Sequence, residues 1–216
     1  MVFDLDGTLM DNRPRVVRIL HELGDAWAAT QPAAAAKARA ATDEGITYGV
    51  VENLKHLGLD DEALHGEAFT FWKDRFFHDD YLRYDVAWPG AVSFARGCYE
   101  AGASLVYLTG RDLPAMALGT FASLRDLGFP IGVVNTSLVL KPDFDTPDVT
   151  FKRSVAPAFG KIGRVIAAFD NEPGNNNLFL EFHPHARSIL VDSHHAPDPP
   201  PLEQGVSVID SFIIDG

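Results

Sequence analysis

The sequence lacks three features that would each point to a particular class of protein. It has a single cysteine, Cys98, so no intramolecular disulfide bond can form. No apolar run approaches the roughly 20 residues that cross a membrane. Its 18 lysine and arginine residues are outnumbered by 30 aspartate and glutamate residues, which gives a net charge of −12. A field of that sign repels nucleic acid and anionic membrane surfaces, so we expect neither as a partner.

The N-terminal residues also lack a targeting signal. No basic region is followed there by an apolar stretch and a cleavage site, so the sequence predicts no signal peptide. A lone cysteine suits a reducing compartment, and we expect a cytoplasmic protein. Met1 stands almost directly on the first motif, so the first strand is expected to be very short. The oligomeric state is not predicted.

What the sequence does contain is an apolar run followed at once by two aspartates. In Val2-Phe3-Asp4-Leu5-Asp6-Gly7-Thr8-Leu9, the apolar residues predict a buried strand. Asp4 and Asp6 are two positions apart, so in extended chain both carboxylates face one site. Gly7 permits a sharp turn. Because two close carboxylates repel each other unless a cation neutralises them, the pattern indicates a Mg²⁺ site with a nucleophile and a general acid/base.

The rest of the chain alternates strands with helices. From about Asn12 to Tyr84 the spacing of apolar residues predicts several helices and no strand. Later strands are predicted at 104–108, 131–134, 165–169 and 188–191, with a loop over 141–150 and a helix over 152–162. Alternation of this kind predicts an α/β fold with a mostly parallel sheet. Ligands in such sheets bind at the carboxyl ends of strands, where Asp4, Thr109 and Asp170 stand.

Two further segments can hold a phosphate group. The Thr109 hydroxyl and backbone N–H groups near Gly110 can bind phosphate oxygens, while Arg111 is expected to pair with an acid on the surface. Lys152 can balance the charge of a phosphoryl group, and Lys141 is a second candidate for this role. Asp170 is the natural third oxygen donor for the metal.

Other conspicuous residues are interpreted as structural or solvated. We expect Asn175, Asn176 and Asn177 to form a polar turn, and His194 and His195 to be a solvated pair, because no cysteine or histidine cluster lies at ligand spacing. Asn171 and Glu172 either support Asp170 or open the next helix. Five aromatic residues are expected in the core or at the seam between two parts of the molecule: Trp27, Phe69, Trp72, Phe76 and Trp88.

The order of these motifs resembles the haloacid dehalogenase superfamily. Asp4 to Leu9 is similar to its first motif, Leu108 to Arg111 to its second, Lys152 to its third and Phe169 to Asn171 to its fourth. The resemblance implies a Rossmann-like, three-layer parallel-sheet core over residues 1–11 and 85–216. It also implies an α-helical cap over residues 12–84, inserted after the first motif.

The same resemblance implies residue roles. Asp4 would attack phosphorus and form an aspartyl-phosphate, and Asp6 would protonate the leaving oxygen and then activate water. Mg²⁺ would be bound by the Asp4 carboxylate, the Asp6 backbone carbonyl and Asp170. Thr109, Gly110 and Lys152 would bind the phosphoryl group. An acid two residues after the nucleophile argues for phosphate esters, because dehalogenases and phosphonate hydrolases of the superfamily lack it.

We therefore expect a Mg²⁺-dependent phosphatase that acts on a small phosphomonoester. Two alternatives stay open at this point. A phosphomutase or phosphotransferase would share the first step, and a non-catalytic binding protein would share only the fold. Product analysis separates the first two, since one releases free phosphate and the other phosphorylates an acceptor.

Overall fold

A six-stranded parallel sheet forms the centre of the molecule. The structure is a computed structural model that describes residues 1–214, so the last two positions of the predicted core segment 85–216 lie outside the described residues. In chain order the strands are β1 (Val2–Phe3), β2 (Met10–Asp11), β3 (Val86–Ala87), β4 (Leu105–Asp112), β5 (Thr136–Lys141), β6 (Ala167–Asp170), β7 (Arg187–Val191) and β8 (Ser207–Ile209). Six of them form the sheet in the order β5-β4-β1-β6-β7-β8, all parallel.

Eight α-helices accompany the strands within residues 1–214. Their bounds are α1 (Arg13–Ala26), α2 (Pro32–Ala38), α3 (Val50–His56), α4 (Glu62–Phe76), α5 (Ala91–Glu100), α6 (Leu113–Leu127), α7 (Asp148–Ile162) and α8 (Pro173–Phe182). Short 3₁₀ helices cover Asp43–Gly45 and Asp79–Tyr84. Within residues 1–214, no helix is both long and apolar enough to cross a membrane.

Both faces of the sheet are covered, because successive side chains of a strand point to opposite sides. Phe3 stacks on Tyr107 and Phe169 in the larger apolar cluster, which also includes residues of α5. Its neighbour Val2 packs in the cluster on α7 and α8, which includes Phe179. Val2 and Phe3 thus pack into apolar clusters on opposite faces of the sheet. The predicted three-layer α/β fold is confirmed.

The helices between β2 and β3 form a third apolar cluster, separate from the two that cover the sheet. Trp27 is fully buried at its centre, as the sequence predicted for a core residue. The sequence also predicted the absence of strands from this segment, and none is assigned to residues 12–84. It missed the antiparallel pair at the two ends, where Met10 pairs with Ala87 and Asp11 with Val86. Strands of two residues carry too little periodicity to be recognised.

The strand predicted at 131–134 is wrong. The strand is Thr136–Lys141, and Val133 and Val134 are exposed. Gly132 and Asn135 both have positive φ, so this apolar stretch is a turn. The predicted loop over 141–150 is also too long, since α7 begins at Asp148 and Lys152 lies in its second turn. That placement is what turns Lys152 toward the sheet.

Candidate active site

Three polar side chains meet at the carboxyl ends of adjacent strands. Asp4 follows β1, Thr109 lies in β4 and Asp170 ends β6, and β1 is paired with both β4 and β6. All three are buried. Parallel strands bring their carboxyl ends to one edge of the sheet, so the predicted convergence of these residues is what the structure has.

Lys152 binds three carboxylates at this edge. Its Nζ donates to Asp4 Oδ1 and to Asp170 Oδ2, both at 2.8 Å, and lies 3.2 Å from Asp148 Oδ2. We call Asp4, Asp148, Lys152 and Asp170 the lysine cluster. Burial favours the neutral amine form of Lys152, but the three carboxylates outweigh this effect and raise the lysine pKa. Burial raises the pKa of Asp4 and of Asp170.

The lysine cluster carries more negative than positive charge. Three carboxylates surround one ammonium group, and Asp148 Oδ1 is buried without a hydrogen-bond partner among the described residues. A buried surplus of charge is costly unless a further cation balances it. The cluster is therefore suited to bind a cation beside Asp4.

Asp170 is held in place by the helix that follows it. Its Oδ1 accepts from the backbone N–H of Glu172 at 2.9 Å and from Asn175 Nδ2 at 3.1 Å. Asn176 Nδ2 donates to the Asp170 carbonyl at 2.9 Å. Asn175 and Asn176 are buried in α8, so their interpretation as a polar turn is wrong. The third asparagine, Asn177, donates from Nδ2 to the carbonyl of Pro201 in a loop.

Asp6 binds arginines instead of a lysine. Arg111 donates to both of its oxygens, from Nε at 2.9 Å and Nη2 at 2.8 Å, and Arg15 Nη2 lies 2.6 Å from Oδ1. Burial alone would raise the pKa of Asp6, but the two guanidinium groups outweigh it and hold this pKa well below its ordinary range. Asp6 is therefore ionised in this arrangement.

Asp85 completes what we call the arginine cluster, which is Asp6, Arg15, Asp85 and Arg111. Asp85 Oδ2 accepts from Arg111 at 2.7 Å, and its Oδ1 lies 2.9 Å from Arg15 Nε. Two carboxylates and two guanidinium groups balance each other in charge. Burial nevertheless raises the pKa of Asp85 to about 6, against the pull of both arginines. The cluster joins the end of β1, helix α1, the segment before β3 and the end of β4.

Sequence reasoning missed most of this cluster. Arg111 was expected to pair with a surface acid, but it is 2% exposed and binds Asp6 and Asp85, so that interpretation is wrong. Arg15 and Asp85 were not singled out. The one available signal for Arg15 was its place on the buried face of α1, four residues before Ile19. Nothing in the sequence around Asp85 distinguishes it from a linker residue.

Gly7 and Asn171 fix the turn between the two clusters. Gly7 has a φ of +74°, and a Cβ there would lie 2.5 Å from Asn171 Nδ2. That nitrogen donates to the His194 carbonyl at 2.7 Å.

His194 is partly buried and burial lowers its pKa, so the expected solvated histidine pair is not observed. Glu172 accepts from the backbone of Ala196 at 2.8 Å, which ties the same loop to the site.

Above these residues lies a cavity of about 330 Å³ that reaches helices α1 and α4 and the segment that precedes α3. Five of the six predicted site residues line it, and the sixth, Asp170, lies directly behind Lys152. Trp72 and Phe76 line it too, as does Lys141. Lys141 Nζ donates to the carbonyls of Phe144 at 3.1 Å and Thr146 at 2.9 Å, so it stabilises a loop.

A sequence profile of haloacid dehalogenase-like hydrolases matches residues 1–190. The chain belongs to this family. It is therefore a hydrolytic enzyme, and the expected membership of the haloacid dehalogenase superfamily is confirmed. No curated protein sequence matches the chain.

Several solved structures have a similar fold. A Clostridium difficile protein assigned as a phosphatase is 13% identical, with a TM-score of 0.60 over 96% of this chain and 92% of that one. The Mycobacterium tuberculosis protein tyrosine kinase A is 16% identical, with a TM-score of 0.55 over 97% and 92%. CbbY from Rhodobacter sphaeroides, solved with phosphate, is 15% identical, with a TM-score of 0.52 over 98% and 93%. Identities this low show the fold alone.

Few side chains at the site could bind a metal ion. Within residues 1–214, no three histidine, cysteine, aspartate or glutamate side chains are arranged to hold a metal ion. The set expected from the sequence needs only two, Asp4 and Asp170, with the Asp6 backbone carbonyl as third donor. Mg²⁺ binds through few carboxylates and several waters, and the two aspartates already share one cationic group, so these residues fit such an ion.

Proposed function

We propose that this hydrolase is a Mg²⁺-dependent phosphatase that cleaves a small phosphomonoester through an aspartyl-phosphate at Asp4. The observation that carries the proposal is the lysine cluster, in which Asp4 and Asp170 both lie 2.8 Å from one ammonium group. Carboxylates that share one cation are close enough to share another. A pair too far apart for this would have removed the basis for the proposal.

Mg²⁺ would be held by the Asp4 carboxylate, the Asp6 backbone carbonyl and Asp170. Bound there, it would neutralise charge on the phosphoryl oxygens and balance the surplus negative charge of the lysine cluster. Asp4 is placed to be the nucleophile because it ends the central strand β1 and faces the cavity. Its carboxylate oxygen would form a bond to phosphorus while the bond from phosphorus to the alcohol oxygen breaks.

Asp6 is proposed as the group that moves protons. As the first step ends, it would give a proton to the departing alcohol oxygen; in the second it would take one from the water that attacks the phosphorylated Asp4. Because Arg15 and Arg111 hold Asp6 ionised, the observed arrangement suits the second role. Donation of a proton in the first role requires the carboxyl group to leave the arginine pair.

Thr109, Gly110 and Lys152 are proposed to bind the phosphoryl group. Thr109 Oγ1 accepts from the Arg111 N–H at 3.2 Å, which leaves its own proton to donate. At Gly110 a Cβ would lie 2.5 Å from Asp148 Oδ1, so no side chain fits between the backbone and the lysine cluster. Lys152 is favoured over Lys141, because Lys152 contacts Asp4 while Lys141 is bonded to two loop carbonyls.

Residues 12–84 are proposed to act as a cap over this site. Helices α1 and α4 and the segment before α3 contribute to the far wall of the cavity, so a substrate would be enclosed between them and the sheet. A small molecule fits beneath such a cover, and a large phosphoprotein does not. The net charge of −12 and the lone cysteine support the further proposal of a cytoplasmic enzyme without nucleic-acid partners.

The test is a phosphate-release screen over a panel of phosphorylated metabolites, with and without Mg²⁺. We expect inorganic phosphate from at least one monoester, with loss of activity after chelation and recovery with added Mg²⁺. Newly phosphorylated acceptors in place of inorganic phosphate would establish a phosphotransferase or mutase instead. Absence of either product across the panel would contradict the proposal.

A further inference from the structure

The cavity has two chemically different walls. The wall on the sheet is polar and includes Asp4, Thr109 and Lys152. The opposite wall is formed by α1, by the segment that precedes α3, and by α4 with the residue that follows it. Its side chains are largely apolar or aromatic: Val16, Thr47, Tyr48, Trp72, Phe76 and Phe77. A substrate whose phosphoryl group lies on the polar wall would therefore place its alcohol part against the aromatic one.

The aromatic wall is organised around Trp72. Trp72 stacks on Phe76 with ring centroids 4.6 Å apart and an interplanar angle of 26°, and Phe77 meets it edge-on at 5.4 Å. Trp72 and Phe76 are four residues apart on α4, so they share one helix face. All three are partly buried and line the cavity, and Tyr48 lines it with half of its surface exposed. The interpretation of Trp72 and Phe76 as core or seam residues was incomplete, because both also line the cavity.

The charges around the cavity disfavour a second anionic group on the substrate. Among the described residues, Lys141 and Lys152 are the only lysine or arginine side chains that line it. Lys152 is bonded to carboxylates and Lys141 to loop carbonyls. The lining also includes four acidic residues: Asp4, Asp6, Asp148 and Glu172. Bisphosphates and phosphorylated carboxylic acids would meet repulsion without a matching cation.

We propose that the substrates are phosphomonoesters of uncharged alcohols that carry an aromatic ring, and that Trp72, Phe76, Phe77 and Tyr48 bind this ring. This rests on the proposed phosphatase function and adds the class of alcohol. A cavity of about 330 Å³ is near the lower end of small-molecule sites, which run from about 300 Å³, so it suits one ring system. Aromatic faces stack favourably on one another beyond the gain from apolar burial alone.

The experiment compares three phosphate esters of primary alcohols, so that the leaving groups differ little in chemistry. These are benzyl phosphate, cyclohexylmethyl phosphate and glucose 6-phosphate, each assayed with Mg²⁺. We expect kcat/KM for benzyl phosphate to exceed that for glucose 6-phosphate by about tenfold or more, and that for cyclohexylmethyl phosphate by about threefold. Equal values, or a preference for glucose 6-phosphate, would overturn the aromatic proposal and leave the phosphatase reaction standing.

Variants locate the preference in the protein. Trp72→Leu should lower the ratio of kcat/KM for benzyl phosphate over glucose 6-phosphate by about three- to tenfold. Phe121→Leu is the matched control, since Phe121 lies on α6, is exposed and does not line the cavity, and its ratio should match the wild type. If Trp72→Leu fails to fold, Tyr48→Leu tests the same wall from an exposed position. An unchanged ratio in the folded variants would contradict the proposal.

Binding separates this inference from the proposed function. If no ester is hydrolysed, the phosphatase proposal fails, and calorimetric titration with benzylphosphonate and ethylphosphonate then tests the wall alone. The aromatic proposal expects benzylphosphonate to bind more tightly, with an advantage that Trp72→Leu reduces and Phe121→Leu preserves. Equal affinity of the two phosphonates for the wild type would overturn it.

Discussion

Asp4 and Asp6 are two positions apart in the chain, and their carboxylates lie in opposite surroundings. The lysine cluster around Asp4 has three carboxylates and one ammonium group, and burial raises the pKa of Asp4. The arginine cluster around Asp6 has two carboxylates and two guanidinium groups, and the pKa of Asp6 is lowered. The first cluster is left with negative charge that a ligand can balance, while the second is balanced already.

The comparison indicates different tasks for the two clusters. A site that must bind a cation and a phosphoryl group needs unbalanced charge, which is costly in the free protein. The arginine cluster can instead stabilise the fold, since it ties β1, α1, the segment before β3 and β4 together.

The largest expected effect breaks the lysine cluster at Asp4. Asp4→Asn should reduce turnover by at least about 10³-fold, because it removes the proposed nucleophile. The thermal midpoint should stay level or rise, since a buried carboxylate with a raised pKa is removed. Asp143→Asn, in an exposed loop, is the control and should keep wild-type turnover. Activity of Asp4→Asn close to the wild type would refute the nucleophile assignment.

The second prediction removes one cation from each cluster in turn. Arg111→Met leaves Asp6 and Asp85 buried with one arginine, and should lower the free energy of unfolding by about 3 kcal/mol in urea titrations. Lys152→Met should also destabilise the protein, but added Mg²⁺ should restore part of that loss, because this cluster accepts a cation. Equal Mg²⁺ responses of the two variants would remove the distinction between the clusters.

The fold and half of the site follow from periodicity. Asp4, Thr109 and Asp170 could be predicted because each follows an apolar strand, and parallel strands bring such positions together. The strand β5 was misplaced because the exposed Val133 and Val134 mimic a buried run. Arg15 and Asp85 could not be predicted, since their partners are distant in the chain and a charge on a helix is usually solvated. Long-range pairing leaves no local pattern.

The third prediction concerns the pH dependence of stability. Asp85 has a folded-state pKa of about 6, against about 3.9 when unfolded, so between these values the folded state binds a proton that the unfolded state lacks. Stability therefore falls as pH rises through this window, and the cost is complete above about pH 6. Asp85→Asn removes this dependence, so its free energy of unfolding relative to the wild type should rise by about 2 kcal/mol from about pH 4 to about pH 7.

Asp6 does not obscure this measurement. Its pKa is lowered, so its stabilising contribution is present above about pH 4 and is lost only below that value. Urea titrations at several pH values measure the difference between Asp85→Asn and the wild type. A difference that stays flat with pH would show that Asp85 is ionised throughout, as an ordinary ion pair would be.

The smallest expected effect concerns metal affinity. Asp170→Asn removes one carboxylate while Asn175, Asn176 and the Glu172 N–H still hold the side chain and backbone in place. The Mg²⁺ concentration for half-maximal activity should rise by about tenfold. Asp85→Asn, which alters the arginine cluster instead, should shift it far less. An unchanged Mg²⁺ titration for Asp170→Asn would show that Asp170 does not bind the metal.

The central claim is that Asp4 is transiently phosphorylated. It is tested most directly by stopping a reaction with acid during turnover and analysing the peptides by mass spectrometry. We expect a phosphoryl group on the peptide that contains Asp4. The same peptide should be unmodified in Asp4→Asn and in the wild type without Mg²⁺. Rapid turnover with that peptide unmodified, together with an active Asp4→Asn, would contradict it.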